Sequence, residues 1–375
     1  PQLFNIEQVA VLKGPAGAIY GSGNPGGIIN YVTKNILLMA NAINKVKLKL
    51  QGLALRNSSS ANYLNKDLYR MLYEEELDSM AYETKKRNGG IMTRGTAWHN
   101  IDGVNMTKVK AIISKLRDGS FKPRPCRRSY IKKPNGKLRP LGLPDYEEKL
   151  VQQCVSRILE CIYDSPRHPT FSDKSHGFRK GRCCHSALKQ MQEIFKTPTW
   201  IIKADIKGFF DNVDHHVLIS LLRKRINDER FIQLIWKFLR AGYVEDGKFV
   251  KTMKGTPQGG VVSPILSNIY LHEFDEFVEK LTSNNETKMV SSKKYRMIQS
   301  RAYQARKMAK KSERYSERWK YYMERNNKWR KIQMELPSKE PQNPNGFIIQ
   351  YVRYADDWVI GIKGTYQQAK FVFTE

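Results

Sequence analysis

Long apolar runs are missing from this 375-residue chain. The longest, Ile36-Leu37-Leu38-Met39-Ala40, falls far short of the roughly 20 residues that a bilayer-spanning helix needs. No charged and then apolar stretch follows Pro1, so no secretory leader is read there. Paired cysteines are missing too. The five cysteines, at 126, 154, 161, 183 and 184, are odd in number and form no C-x-x-C pair. That argues against a disulfide framework or a zinc module and fits reduced thiols in a cytoplasmic protein. Cys183-Cys184-His185 has metal-binding residue types, but adjacent side chains do not easily close one tetrahedral shell, and the cluster is read as packing. Acid is scarce: 36 Asp+Glu stand against 65 Lys+Arg, for a formal charge of +29. Such an imbalance calls for a polyanionic partner. Nucleic acid comes first and an anionic membrane surface second; charge alone does not choose.

The first 34 residues are rich in glycine and nearly free of charge. Gly21, Gly23 and Gly26 spell a formal G-x-G-x-x-G, but Pro25 and Gly27 spoil the helix start and no βαβ unit follows, so a dinucleotide site is not expected. The run from Val11 to Lys34, VLKGPAGAIYGSGNPGGIINYVTK, resembles the plug domain of TonB-dependent outer-membrane receptors over about residues 4–34. No array of barrel strands follows Lys34. The resemblance implies a fused gene fragment, poorly ordered over 1–38 because a partial plug cannot bury a core. Met39 is then a candidate native start. An outer-membrane location would be inherited only from this segment.

Beyond Met39 the pattern turns to helices and short strands. Asp67–Tyr73 and Met106–Leu116 read as amphipathic helices, with a polar, Gly-rich stretch around Asn88–Gly103 between them. A basic hairpin is expected over Arg127–Pro140, turning at Asn135-Gly136. Residues 146–163 read as a helix with Leu150, Val151, Cys154, Ile158 and Cys161 on one side. A strand follows at Trp200–Asp205. Asp214 is placed to cap a helix whose inner face holds Val217, Leu218, Leu221, Leu222 and Ile226. A second amphipathic helix covers about 229–241. Ser263 and Pro264 fit the start of a long helix to about Leu281, with Leu266, Ile269, Tyr270, Phe274, Phe277 and Val278 inward. The chain closes with strands at 347–354 and 358–362, then a Thr365/Gln368 capping box.

Residues 282–345 differ from their surroundings. From Lys288 to Lys331 there are 16 Lys or Arg and three Glu, interleaved with aromatic residues such as Tyr303, Tyr315, Trp319 and Trp329. One reading is a solvated helical hairpin. The other, favoured by the one-sided charge, is an RNA-binding arm carrying Lys293, Lys294, Arg301, Arg306, Lys310 and Lys311, whose aromatic rings stack on bases or pack locally.

Three carboxylates carry the chemistry. Asp205 ends one strand; Asp356 and Asp357 sit at a hairpin tip. Adjacent acids repel unless a cation shares them. Three carboxylates from neighbouring strands suit two Mg²⁺ ions about 3.5–4 Å apart, the arrangement of polymerases. The surrounding residues resemble reverse transcriptase motifs. Tyr354-Ala-Asp-Asp357 within YVRYADDWVIG looks like the C motif, Ala204–His215 (ADIKGFFDNVDH) the A motif, and Thr256–Asn268 (TPQGGVVSPILSN) the B motif. Lys132–Pro144 and Ser175–Arg182 resemble the fingers motifs. The motifs come in order over about residues 65–375. The insertion ahead of YVRYADD is similar to that of the group II intron lineage.

The resemblance implies an α+β right-hand polymerase, with fingers and a ferredoxin-like palm, truncated at its C-terminus and carrying a basic helical insertion. The implied divisions are a plug-like fragment over 1–38, an N-terminal extension and fingers over 39–199, palm over 200–281, insertion over 282–345 and palm again over 346–375. It further implies that Asp205 and Asp356 are the main metal ligands, helped by Asp357 and the Ile206 carbonyl. Phe210 matches the steric gate against a ribose 2′-hydroxyl, or serves as a core aromatic, or both. Lys132 and Arg139 match the residues that grip the triphosphate, Gln258 and Gly259 those that position the nucleotide, and Arg179 and Arg182 are expected on nucleic acid. The expected partners are an intron RNA template, a DNA primer or target and deoxynucleoside triphosphates, with no membrane, in the cytoplasm or at the nucleoid. Without a thumb this stretch alone is expected to polymerise weakly or not at all. A maturase that binds intron RNA without catalysis, or an inactive remnant, is the alternative; a receptor fragment is the remote one.

Overall fold

The computed structural model describes residues 6–12, 28–60, 62–86, 93–97, 105–132, 134, 136–165, 169–195, 197–285, 289–343 and 346–374. Helices and strands are mixed throughout, and the chain divides into two compact units. One comprises Pro1–Cys183 and Ile206–Phe274; the other comprises Cys184–Asp205 and Asp275–Glu375. No described helix is long and apolar enough to cross a membrane.

In the first unit, β1 (Ile6–Leu12) pairs antiparallel with β2 (Ile28–Thr33), and a helix runs from Lys34 to Ser59 through the change in composition at 38/39. The glycines at 21, 23 and 26 lie outside the described residues, as does most of the stretch 88–103. The organising element is the helix Tyr146–Tyr163. Its periodicity marks one apolar side, but the helix is buried nearly all round, against Lys34–Ser59 and Glu75–Lys86 among others. Leu150, Val155, Ile158 and Leu159 are fully enclosed, each contributing about 1.5–3 kcal/mol by leaving water. The polar residues on its other faces are tolerable because they have partners. Glu148 accepts from the Arg124 amide at 2.9 Å, and Gln152 Oε1 accepts from the Val261 amide at 2.8 Å.

The basic hairpin forms from β3 (Cys126–Lys132) and β4 (Leu138–Leu143). Lys132 pairs with Leu138, so residues 133–137 make a longer connection than a two-residue Asn-Gly turn. Gly136 supplies a φ of +78°, while Asn135 lies outside the described residues. β6 (Tyr243–Glu245) joins β3 in parallel and β7 (Lys248–Val250) completes the order β4-β3-β6-β7. Asp214 caps the helix His215–Arg223 by accepting from the Val217 amide at 2.9 Å. The inner face differs from the expected one. Val217, one turn past the cap, is 45% exposed, and His215 and Ile219 are buried in its place. The next helix is Glu229–Leu239. The long helix Ser263–Asn285 runs from the first unit into the second; Leu266, Ile269 and Val278 are buried, but Phe277 is 43% exposed.

The second unit is built on an antiparallel sheet of order β10-β11-β5, from β5 (Trp200–Asp205), β10 (Ile348–Tyr354) and β11 (Asp357–Lys363). The helix Cys184–Ile194 packs on β10. The helix Tyr366–Thr374 opens on the expected capping box: the Thr365 amide donates to Gln368 Oε1 at 2.8 Å, and the Gln368 amide to Thr365 Oγ1 at 3.3 Å. The basic insertion is a helical hairpin, Lys293–Lys311 and Glu317–Glu335, closed at its base by β8 (Met289–Ser291) against β9 (Lys339–Pro341). Ile298, Ala302, Ala305 and Ala309 form its buried seam.

Asp78 gives a test of the first core. It is buried beside Cys154, whose thiol donates to it at 3.5 Å, and burial pushes its carboxyl up to about 7. An unfolded aspartate titrates near 3.9. Between about pH 4 and 7 the folded chain therefore holds a proton that the unfolded chain has released, and stability falls as pH rises through that window. Asp78→Asn is expected to stabilise the protein by a few kcal/mol at pH 8 and to flatten this slope. Denaturant unfolding from pH 4 to 8 checks it; an unchanged slope places its source elsewhere.

Candidate active site

Pleat and register assemble the acidic site. In β5 and β11, Asp357 pairs with Asp205 and Trp358 with Ala204. Residues directly opposite share a face of the sheet, so the two carboxylates leave side by side. β10 meets β11 with Tyr354 opposite Asp357, leaving Ala355 and Asp356 as the two-residue tip. Ala355 is held at φ +57°, where a β-carbon costs about 1–2 kcal/mol. Asp205 and Asp357 are exposed and Asp356 is half-buried. Partial burial, then the neighbouring charges of Asp356 and Asp205, raise the Asp357 carboxyl above the usual range, with Lys203 opposing. Asp357 thus feels the charge of both other acids. Among the described residues, no three acidic, His or Cys side chains form a closed cation cage. The donors are nevertheless hard oxygens of like charge on one hairpin and its neighbour, a donor type that fits Mg²⁺. Ile206 follows Asp205; its carbonyl accepts from the Phe209 amide at 3.1 Å.

Beneath the tip lies a polar network that the sequence reading missed. Arg353 and Asp275 are both fully buried, 0% exposed at their side chains. Arg353 Nε donates to Asp275 Oδ1 at 2.7 Å and Nη2 to Oδ2 at 2.6 Å. Its Nη1 donates to the carbonyl of Ala355 at 2.8 Å. The Tyr351 hydroxyl donates to Asp275 Oδ1 at 2.7 Å. Burial and the Asp275 charge push that hydroxyl's pKa well up, which keeps it a donor. An arginine in a strand rich in aliphatic and aromatic residues was the available signal; its partner lies 78 residues away.

In the first unit, the turn Thr256–Gly260 is seated on β4. The Gly142 amide donates to the Gln258 carbonyl at 2.6 Å. Gly259 has φ +102°, and a β-carbon there would lie 2.8 Å from the Gly142 carbonyl oxygen. The close approach that Gly259 permits is therefore to the hairpin backbone. Gln152 holds the far side of the turn through Val261 and Val262. The Phe210 carbonyl accepts from the Thr256 amide at 2.6 Å. The half-buried Phe210 ring meets Phe209 and Phe178 edge-on, at 5.4 and 6.2 Å. It also lines a cavity of about 290 Å³ with Arg128, Phe238, Tyr243 and Thr256. Lys132 and Arg139 are both exposed on the hairpin. Their partners are Leu138 and Ile131, so on a regular pleat the two cations leave opposite faces. Lys132 shares the face of Gly142, which meets Pro257.

Arg179 does not stand free for nucleic acid as expected. It is buried, with Nη2 on Asp164 at 2.7 Å and Nη1 on the carbonyls of Ser172 and Ser175. A guanidinium so enclosed braces its loop instead. Arg182 is half-buried and paired with Asp173 at 2.8 Å. In contrast Lys293, Lys294, Arg301, Arg306, Lys310 and Lys311 are all exposed on the insertion hairpin. Arg301 lies over the Trp329 ring at 5.1 Å, and Tyr315 sits 5.2 Å from Trp319. Some of the rings therefore pack locally, while Tyr303 stays exposed.

A family model described as reverse transcriptase (RNA-dependent DNA polymerase) matches residues 131–291. A second, the TonB-dependent receptor plug domain, matches residues 1–28. The group II intron-encoded protein LtrA of Lactococcus lactis subsp. cremoris is 42% identical over 308 residues, 81% of this chain and 50% of that protein. An uncharacterized 91 kDa protein in the cob intron of Schizosaccharomyces pombe is 38% identical over 87% of this chain and 39% of that protein. Protein YkfC of Escherichia coli is 32% identical over 76% of this chain and 68% of that protein. The chain spans about half the length of the first of these relatives.

The Gly142–Gly259 approach gives the prediction. Gly259→Ala meets both a left-handed backbone and a carbonyl at 2.8 Å, and is expected to destabilise by about 1–3 kcal/mol. Thermal unfolding checks it; an unchanged midpoint means that the turn is not seated on β4.

Proposed function

Because the chain belongs to the group II intron-encoded reverse transcriptases, we propose that it takes part in copying an RNA template into DNA by nucleotidyl transfer. The observation that carries this reading is the strand register that sets Asp205 beside Asp357, with Asp356 at the adjoining tip. Asp205 and Asp356 are the proposed metal ligands, assisted by Asp357 and the Ile206 carbonyl. Two Mg²⁺ ions, when bound, favour the ionised primer 3′-hydroxyl and neutralise charge on the departing pyrophosphate. The protein's own residues do the rest. Lys132 and Arg139 attract the triphosphate from an exposed hairpin; as they leave opposite faces of a regular pleat, Lys132, on the Gly142 side, is the better placed to act with the B turn. Gln258 and Gly259 position the nucleotide on a turn pinned to β4. Phe210, held by Phe178 and Phe209, presents a bulky ring that excludes a ribose 2′-hydroxyl.

In this reading residues 39–199 supply an N-terminal extension and fingers, 200–281 and 346–375 supply a palm, and 282–345 the insertion. The partners are the intron RNA, a DNA primer or target and deoxynucleoside triphosphates. The exposed cations of the insertion bind RNA phosphates, which supports a second role in helping the intron fold and splice. That role needs no acid triad, so one experiment separates the two. Replacing Asp356 and Asp357 by Ala together is expected to abolish primer extension and to leave intron-RNA affinity and its salt dependence unchanged. Extension that survives the replacement refutes the site; affinity that collapses with it refutes the separation.

A further inference from the structure

The proposal concerns the network under the acidic tip and rests on the nucleotidyl-transfer reading only for its effect on metal binding. We propose that Arg353, braced by Asp275, is a positioning residue: its guanidinium clamps the strained Ala355 turn and so sets the directions of Asp356 and Asp357.

Three observations point the same way. First, a fully buried ion pair is a poor device for stability alone. Its desolvation offsets most of the attraction, and a well-packed apolar pair of the same volume often does as well. Second, the donors are divided in a telling way. Nε and Nη2, along one edge of the guanidinium, close a fork on Asp275 at 2.7 and 2.6 Å and fix its plane. That leaves Nη1 aimed at the Ala355 carbonyl at 2.8 Å. The bond thus spans the first tip residue and ends two residues from its own Cα. Third, Ala355 is the residue that most needs holding. It is buried and adopts φ +57° at the first central position of a two-residue hairpin tip, where glycine is the usual occupant. A backbone that favours another conformation reorients the residues that follow it, and these are the two acids. Tyr351 completes the brace by donating to Asp275 at 2.7 Å, which keeps the carboxylate turned towards Arg353. Arg353 therefore links Asp275, on the long helix, to the tip.

The test uses the full chain as wild type, Arg353→Lys and the double variant Arg353→Lys/Ala355→Gly. Lysine keeps the charge but cannot make the fork and the third bond together. Glycine takes the left-handed turn without strain and needs no clamp. Three readouts are compared: amide hydrogen exchange of Ala355–Asp357, Mn²⁺ binding followed by electron paramagnetic resonance, and the melting temperature. In Arg353→Lys, exchange at the tip should rise and Mn²⁺ affinity fall by about 10–100-fold, the range for groups that orient metal ligands. In the double variant both should return towards wild type, although the melting temperature stays low because lysine still cannot make the two-bond fork on Asp275.

Tip exchange unchanged in Arg353→Lys overturns the clamp. So does a loss that simply follows the melting temperature and is not relieved by Ala355→Gly. If tip exchange behaves as expected but wild type binds no Mn²⁺ that the Asp356→Ala/Asp357→Ala variant loses, the clamp stands and the metal-site reading falls.

Discussion

The register between β5 and β11 is the constraint on which the acidic site depends. With Asp357 opposite Asp205, both carboxylates leave one face of the sheet, and Ile360 and Ile362 lie buried. A slip of one residue would turn every side chain of one strand to the other face, exposing those isoleucines and parting the acids. The register is therefore enforced by apolar burial along the strands, well away from the charges that it aligns. A site made of mutually repelling groups cannot hold itself together, and here the sheet does the holding.

The same division recurs elsewhere. The Thr256–Gly260 turn carries residues proposed to meet the nucleotide, but its position is fixed by the Gly142 and Phe210 backbones and by the Gln152 side chain. The insertion carries exposed cations on one seam of small buried residues, Ala302, Ala305 and Ala309, with Asn326 donating across to the Ala302 carbonyl at 2.7 Å. In each case the groups offered to a polyanion or a cation are exposed or half-buried, and the geometry comes from quieter neighbours.

Local signals in the sequence were readable to the residue. Asp214 caps its helix, Thr365 and Gln368 close a capping box, and Trp200–Asp205 is a strand, because each depends on neighbours a few positions away. Long-range pairings were not readable. Nothing in the chain says that Arg353 finds Asp275, that Gly142 finds Gln258, or that Arg179 turns inward onto Asp164. The motif resemblance put Arg179 on nucleic acid, but burial of a cation is decided by a partner that a local motif does not reveal. The helix Tyr146–Tyr163 was read as one-sided for a similar reason: its polar faces are buried only because distant amides satisfy them. The family motifs carried the acids; the scaffold that aims them had to be seen.

The central claim is that Asp205, Asp356 and Asp357 share two divalent ions while a nucleotide is joined to a primer. Anomalous diffraction from Mn²⁺ in crystals of the chain with primer, RNA template and an incoming deoxynucleotide addresses it most directly. The account predicts two peaks about 3.5–4 Å apart, bridging Asp205 and the Asp356–Asp357 tip. Ordered nucleotide with no peak there, or with metal bound only by other residues, would contradict it.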